Sequence, residues 1–198
     1  MRGWRRFAIV AALALAIPAA GGVTYAAYTA TTANAGNIVE AGSVKLSDNG
    51  DGSSMLSLSG AVPGNTTSAC IRVTYAGTLP ASVRLHGTTT GTGLDQYIDL
   101  KVTRGVYSPT EPAFKSCTNF QADGTNYIGA GNGVIYNGTL QAYADDYASG
   151  LVDPLPGSPE SWTTGEVHVY RLDVTLQNDF SAQNKDATQA FRWEARNQ

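Results

Sequence analysis

The residues able to do chemistry in this chain are few: two histidines, two cysteines and a thin scatter of carboxylates. His86 and His168 are the only imidazoles, so a metal-based or nucleophilic centre that needs one must use them. Glu166 stands two residues before His168, which puts both on one side of an extended strand. A zinc peptidase normally takes two histidines at i, i+4 on a helix, with a glutamate as base. No HExxH occurs here, and a centre built from Glu166, His168 and His86 would be unusual. A serine–histidine–aspartate set finds no local support, because neither histidine lies in a nucleophile-elbow context. Asp48-Asn49-Gly50-Asp51-Gly52-Ser53 invites a calcium reading, but an EF-hand needs side-chain oxygens where this stretch has Gly50 and Gly52. It reads better as a hairpin turn, since Asn and Gly tolerate positive φ. Asp145 and Asp146 read as a solvated face. The expectation is therefore a protein that is not an enzyme, with no catalytic residue, no cofactor and no metal ligand set.

Cys70 falls in a strand and Cys117 in a Pro-containing segment further on. In an exported protein an even pair usually forms a bridge. On the chain-entropy model such a link stabilises by about 4 kcal/mol. Two free thiols or a metal pair are the other readings, though two sulfurs alone make a poor zinc site. Asn65-Thr66-Thr67 and Asn137-Gly138-Thr139 fit the glycosylation sequon and are read as turns. Tyr97, Tyr107, Tyr127, Tyr143 and Tyr147 raise a further option, a sugar-binding platform, although sandwiches also use Tyr as half-buried wall residues.

Strands must position these groups. Ala69, Ile71, Val73 and Tyr75 alternate with Cys70, Arg72 and Thr74. The same period of two recurs at Ala81-Val83-Leu85, Ile98-Leu100-Val102, Tyr170-Leu172-Val174-Leu176 and Phe191-Trp193-Ala195. One apolar and one polar face per strand is what a two-sheet antiparallel sandwich requires. His86 lies on the polar parity of its strand, and His168 shares parity with Tyr170. Val44–Leu46 and Leu56–Leu58 are expected to pair across the Asn49–Gly52 turn. One segment departs from period two. Leu140, Tyr143, Ala144, Tyr147 and Leu151 form a helical stripe, with Thr139 as N-cap and Gly150 as stop. It predicts one short helix crossing an end of the sandwich. The segment from Leu151 to Trp162 holds three prolines and reads as a surface loop.

The N-terminus reads as an export signal. Arg2, Arg5 and Arg6 precede an apolar run from Phe7 to Ala20, too short to span a bilayer as a helix. Small residues follow, and the favoured cut lies between Ala26 and Ala27, with a cut after Ala20 as the alternative. Cleavage after Ala26 leaves 172 residues, enough for one domain with a real core. It also removes three arginines, leaving 10 basic against 16 acidic residues, which argues against nucleic acid as a partner. The division is then signal 1–26, extended segment 27–37 and β-sandwich 38–198. Ala27, Tyr28, Thr29, Ala30, Thr31, Thr32 and Ala33 open the extended segment, which is uncharged and rich in Ala and Thr. Such a segment cannot build a core of its own, and its small side chains suit insertion along an existing sheet edge. The C-terminus carries no apolar tail, so a secreted protein, extracellular or held at the cell surface by its neighbours, is expected.

Several stretches in order resemble the TasA/camelysin family of exported matrix proteins. Tyr25-Ala26-Ala27-Tyr28, Gly36-Asn37 and Ala41-Gly42-Ser43-Val44-Lys45-Leu46 look like that family's opening junction and first strand. Val62-Pro63-Gly64-Asn65 resembles its proline–glycine turn, with Asn65 where Asp is usual. Ala76 to Val83, Tyr170 to Leu176 and Phe191 to Ala195 resemble later family segments. The cysteine pair is a departure from many members. The resemblance implies a jelly-roll or Ig-like sandwich and processing by a SipW-type signal peptidase. It further implies a structural role in the bacterial extracellular matrix, or biofilm. Subunits would self-associate into filaments by donor-strand exchange of the freed N-terminal segment, with other matrix components as further partners. A camelysin-like secreted metalloprotease and a monomeric carbohydrate- or surface-binding sandwich are the alternatives.

Overall fold

The computed structural model describes residues 29–33, 44–50, 53–57 and 61–198. The signal segment, the Ala26/Ala27 cut, Ala27, Tyr28 and positions 34–43 lie outside these residues. Strands in chain order are β1 Thr29–Ala33, β2 Leu46–Asp48, β3 Thr66–Tyr75, β4 Ala81–Gly91, β5 Ile98–Tyr107, β6 Phe120–Ala122 and β7 Val134–Thr139. They continue with β8 Leu151–Val152, β9 Pro154–Leu155, β10 Ser158–Pro159, β11 Val167–Leu176 and β12 Ala187–Asn197. One large sheet runs β1-β12-β4-β8, the other runs β2-β3-β11-β5-β6 with β7 also paired to β5, and β9 and β10 form a small two-stranded sheet. All pairings are antiparallel.

Alternation built this architecture. Ile71, Val73 and Tyr75 of β3, Leu100 and Val102 of β5 and Tyr170 and Leu172 of β11 turn inward from one sheet. Val83 and Leu85 of β4 and Trp193 and Ala195 of β12 meet them from the other, all buried. The Tyr170 and Trp193 rings lie 5.4 Å apart and join the two layers. Removing each such side chain from water stabilises by roughly 1.5–3 kcal/mol. Val62 to Asn65 forms a tight turn in which Asn65 N–H donates to the Val62 carbonyl at 3.0 Å. Pro63 presets its φ there, and Gly64 takes a φ of 84°, where a side chain would be strained.

Three expectations need correction. Among the described residues there is no α-helix: the only helical pieces are 3₁₀ turns at Asp95–Tyr97 and Phe180–Ala182. The stripe from Leu140 to Leu151 instead wraps the β4 edge as consecutive turns. Leu140 and Tyr143 are buried inside, whereas the Tyr147 ring lies under Arg84 and Arg196 outside. Thr139 does cap a turn, its Oγ1 accepting from Ala142 N–H at 3.3 Å. The Ala144 carbonyl is taken by Gly87 N–H of β4, and Asp146 Oδ1 accepts from Ser149 N–H. These outside partners win because short helices gain little from propensity alone. Second, β2 pairs with the Tyr75 end of β3, and the described residues 56 and 57 form no strand. The Asn49–Gly50 turn is present, with Gly50 N–H donating to Asp48 Oδ1 at 2.7 Å. Third, residues 151–162 are no simple surface loop. They contain three short strands, and both Asp153 and Trp162 are fully buried.

Candidate functional site

The densest polar chemistry lies where β5 ends and β11 begins, inside the sandwich. Arg104 follows Leu100 and Val102 on the inward parity of β5 and is 5% exposed. Tyr170 stands opposite it on β11, with His168 next along the same face. The 151–162 segment closes over them. A buried guanidinium is tolerated only when paired, and this one is surrounded. Arg104 Nη1 donates to Asp123 Oδ2 at 2.5 Å and to Tyr127 Oη at 3.3 Å. Its Nη2 contacts Glu160 Oε2 and lies 2.8 Å from His168 Nε2. Its Nε is 3.1 Å from Asp153 Oδ1, an ion pair without hydrogen-bond alignment. Asp153 Oδ2 accepts from the Trp162 indole N–H at 3.0 Å, and the Trp162 ring meets His168 edge-on at 4.6 Å.

Glu166 completes the cluster. Its Oε1 lies 3.0 Å from His168 Nε2, and its Oε2 accepts from Thr163 N–H at 2.8 Å. One imidazole nitrogen thus faces a guanidinium donor and a carboxylate acceptor. It accepts from Arg104 as a neutral Nδ1–H tautomer, or donates to Glu166 when Nε2 carries hydrogen, and cannot do both.

Burial dominates the protonation of this cluster. It pushes the Asp153 carboxyl up, although Arg104, His168 and the Trp162 N–H pull the other way. It likewise raises Glu160, against Arg104 and His168, and a hydrogen bond that protonated Glu160 donates to the Glu166 carboxylate adds to the rise. Burial also works upward on Glu166, but His168 and the Thr163 N–H outweigh it and hold that carboxyl below the usual range. Desolvation disfavours the Arg104 charge, yet Asp153, Asp123 and Glu160 more than offset it and raise its pKa.

By donor type, Asp153, Glu160 and His168 could hold a divalent cation, since one ligand atom from each lies within 4.8 Å of the others. The Arg104 guanidinium, however, rests against all three. The cluster already contains its cation, and a metal would have to displace a forked, multiply bonded side chain. What the arrangement does chemically is lock the closing segment onto β5 and β11.

His86 takes no part in it. It sits on the outer face of β4, 5% exposed, with Nε2 3.2 Å from Glu194 Oε2. Its polar parity was legible, but its burial was not. Glu166 and His168 do come together, while His86 belongs to the other sheet. The five tyrosines also separate. Tyr143 packs edge-on against Tyr136 and Phe191 in the core, and Lys185 lies over the Tyr97 ring. Tyr127 serves Arg104, and Tyr107 donates its hydroxyl to the Ser116 carbonyl. No shared platform exists among them. Cys70 and Cys117 are joined, with Cα atoms 5.1 Å apart.

Of the segment 27–37, the described part is β1. Thr29 to Ala33 pair with Arg196 to Arg192 of the same chain's β12, on the sheet edge. The pairing has a physical reason: β12 is bonded to β4 on its other side and would otherwise leave backbone groups open. Arg104, Asp123, Asp153 and Glu160 were all missed from sequence. Only Arg104 carried a signal, as the next inward position after Ile98, Leu100 and Val102.

No family model matches this chain, and no curated protein matches it.

Proposed function

We propose that this protein is an exported structural component of an extracellular matrix, and that it assembles by exchanging its N-terminal strand between copies. The observation that carries this reading is the edge position of β1. Its five residues pair with β12 alone in their sheet, at the end of the strand order. A second copy can present the same segment to the same edge in the same register, so the exchanged contact matches the internal one. A head-to-tail contact of this kind does not close on itself and produces filaments. Export is supported by the signal-like N-terminus and by the disulfide, which suits an oxidising compartment. The stretches that resemble TasA/camelysin proteins support the same reading. Signal removal would free the segment and act as the switch.

The test is electron microscopy of the cleaved protein beside a Thr31→Pro/Thr32→Pro variant. Proline removes a backbone donor and disrupts strand pairing. The unchanged protein should form filaments and the variant should remain monomeric with its sandwich folded. Filaments of the same form from the variant would refute strand exchange.

A further inference from the structure

A second site lies on the outer face of the larger sheet. The segment between β5 and β6 folds back over β3, tied by the Cys70–Cys117 bridge and by Cys70 N–H donating to the Lys115 carbonyl at 3.2 Å. Beside it runs a groove of about 320 Å³ lined by Arg72, Val106, Tyr107, Glu111, Val167 and Val169. This volume falls at the lower end of the range for small-molecule sites.

Its chemistry is specific. Arg72 Nε lies 3.2 Å from Glu111 Oε1, and Asn49 Nδ2 donates to that same oxygen at 2.9 Å. Glu111 Oε2 and both terminal nitrogens of Arg72 are left without a protein partner among the described residues. The groove therefore holds adjacent free donors and a free acceptor. Because the two charges cancel, it exerts little net field on either an anion or a cation. The apolar part comes from Val106 and Val167, 43% and 37% exposed, with Val169 as floor. Tyr107 adds ring surface, since its hydroxyl is committed to Ser116. Burial and the Glu111 charge push that phenol up to about 12, so it stays neutral in ordinary conditions.

Much of the backbone around the groove is already paired: β5 with β6 through Tyr107 and with β11 as far as Gly105, and Val167 and Val169 of β11 with β3. The Arg72 N–H and carbonyl are both taken by Asn49. Recognition must run through side chains. A pyranose ring offers what these side chains lack: apolar C–H faces, and a rim of neutral hydroxyls that each donate and accept. One hydroxyl can accept from an Arg72 terminal nitrogen while its neighbour donates to Glu111 Oε2. We propose that this groove binds neutral hexopyranose units of a polysaccharide. The inference does not depend on strand exchange.

The test titrates neutral hexose hexamers with gluco, manno and galacto backbones, and their monosaccharides, into the full exported protein while amide and methyl NMR signals are followed. Expected are shifts confined to Val106, Val167 and Arg72, tighter for at least one hexamer than for its monosaccharide, at up to about 10 mM ligand. Glu111→Gln and Arg72→Met should each weaken binding about tenfold while the remaining spectrum is unchanged. Three results would overturn the proposal: no shifts from any neutral sugar, shifts that both variants leave intact, or binding only by hexuronate oligomers. Equal affinity for hexamer and monosaccharide would overturn the polysaccharide assignment. Binding by the non-filamentous Thr31→Pro/Thr32→Pro variant should equal that of the unchanged protein, which separates this site from the assembly reading.

Discussion

Replacing Arg104 with methionine isolates the energetics of the buried cluster. Methionine matches the length of the side chain and removes its charge. Asp153, fully buried, then loses the guanidinium beside it, and Asp123 and Glu160 lose the same partner. Removing one member of a buried ion pair costs about 3–5 kcal/mol. For a chain of this size each kcal/mol moves Tm by about 2–4 °C, so a fall of about 6–20 °C is expected near pH 7. The pH dependence carries a sign. Asp153 and Glu160 already have folded-state pKa values above their ordinary values of 3.8 and 4.5. Their contribution is thus most favourable below those values and is lost as pH rises through the folded pKa. Without Arg104 both should rise further. The gap between variant and parent must therefore shrink on acidification, as the carboxyls become neutral. Urea melts at a series of pH values measure it, with Arg104→Lys, which keeps charge but loses the fork, falling between the two. A loss under about 1 kcal/mol at pH 7, or a gap that widens in acid, would refute the claim that Arg104 is the cation this cluster requires.

Two further outcomes are expected. The native protein should show no titratable thiol, and a Cys70→Ser/Cys117→Ser double variant should lose about 4 kcal/mol in denaturant melts; a loss near zero would mean the bridge constrains little of the unfolded chain. Purified protein should leave casein intact with and without a chelator, because the carboxylate–histidine cluster with metal-ligand spacing among the described residues is filled by Arg104. Chelator-sensitive cleavage that disappears in His168→Ala would establish the peptidase reading instead.

Residue order alone determined the long strands. An apolar residue at every second position can bury one face only in an extended conformation, so β3, β4, β5, β11 and β12 were legible from alternation. The link between Cys70 and Cys117 was legible from the even cysteine count together with the expected export. Tertiary structure decided the rest. The spacing of Leu140, Tyr143 and Tyr147 is helical, yet Gly87, Arg84 and Arg196 hold those residues on two sides of one strand edge. Nothing local marks Asp153 as buried or Glu160 as a partner of Arg104, because those groups become neighbours only when the 151–162 segment closes over β5 and β11. Periodicity records which face a residue takes. Which distant charges share a face depends on strand order and register, and a charge remains buried only where those two bring its partners together.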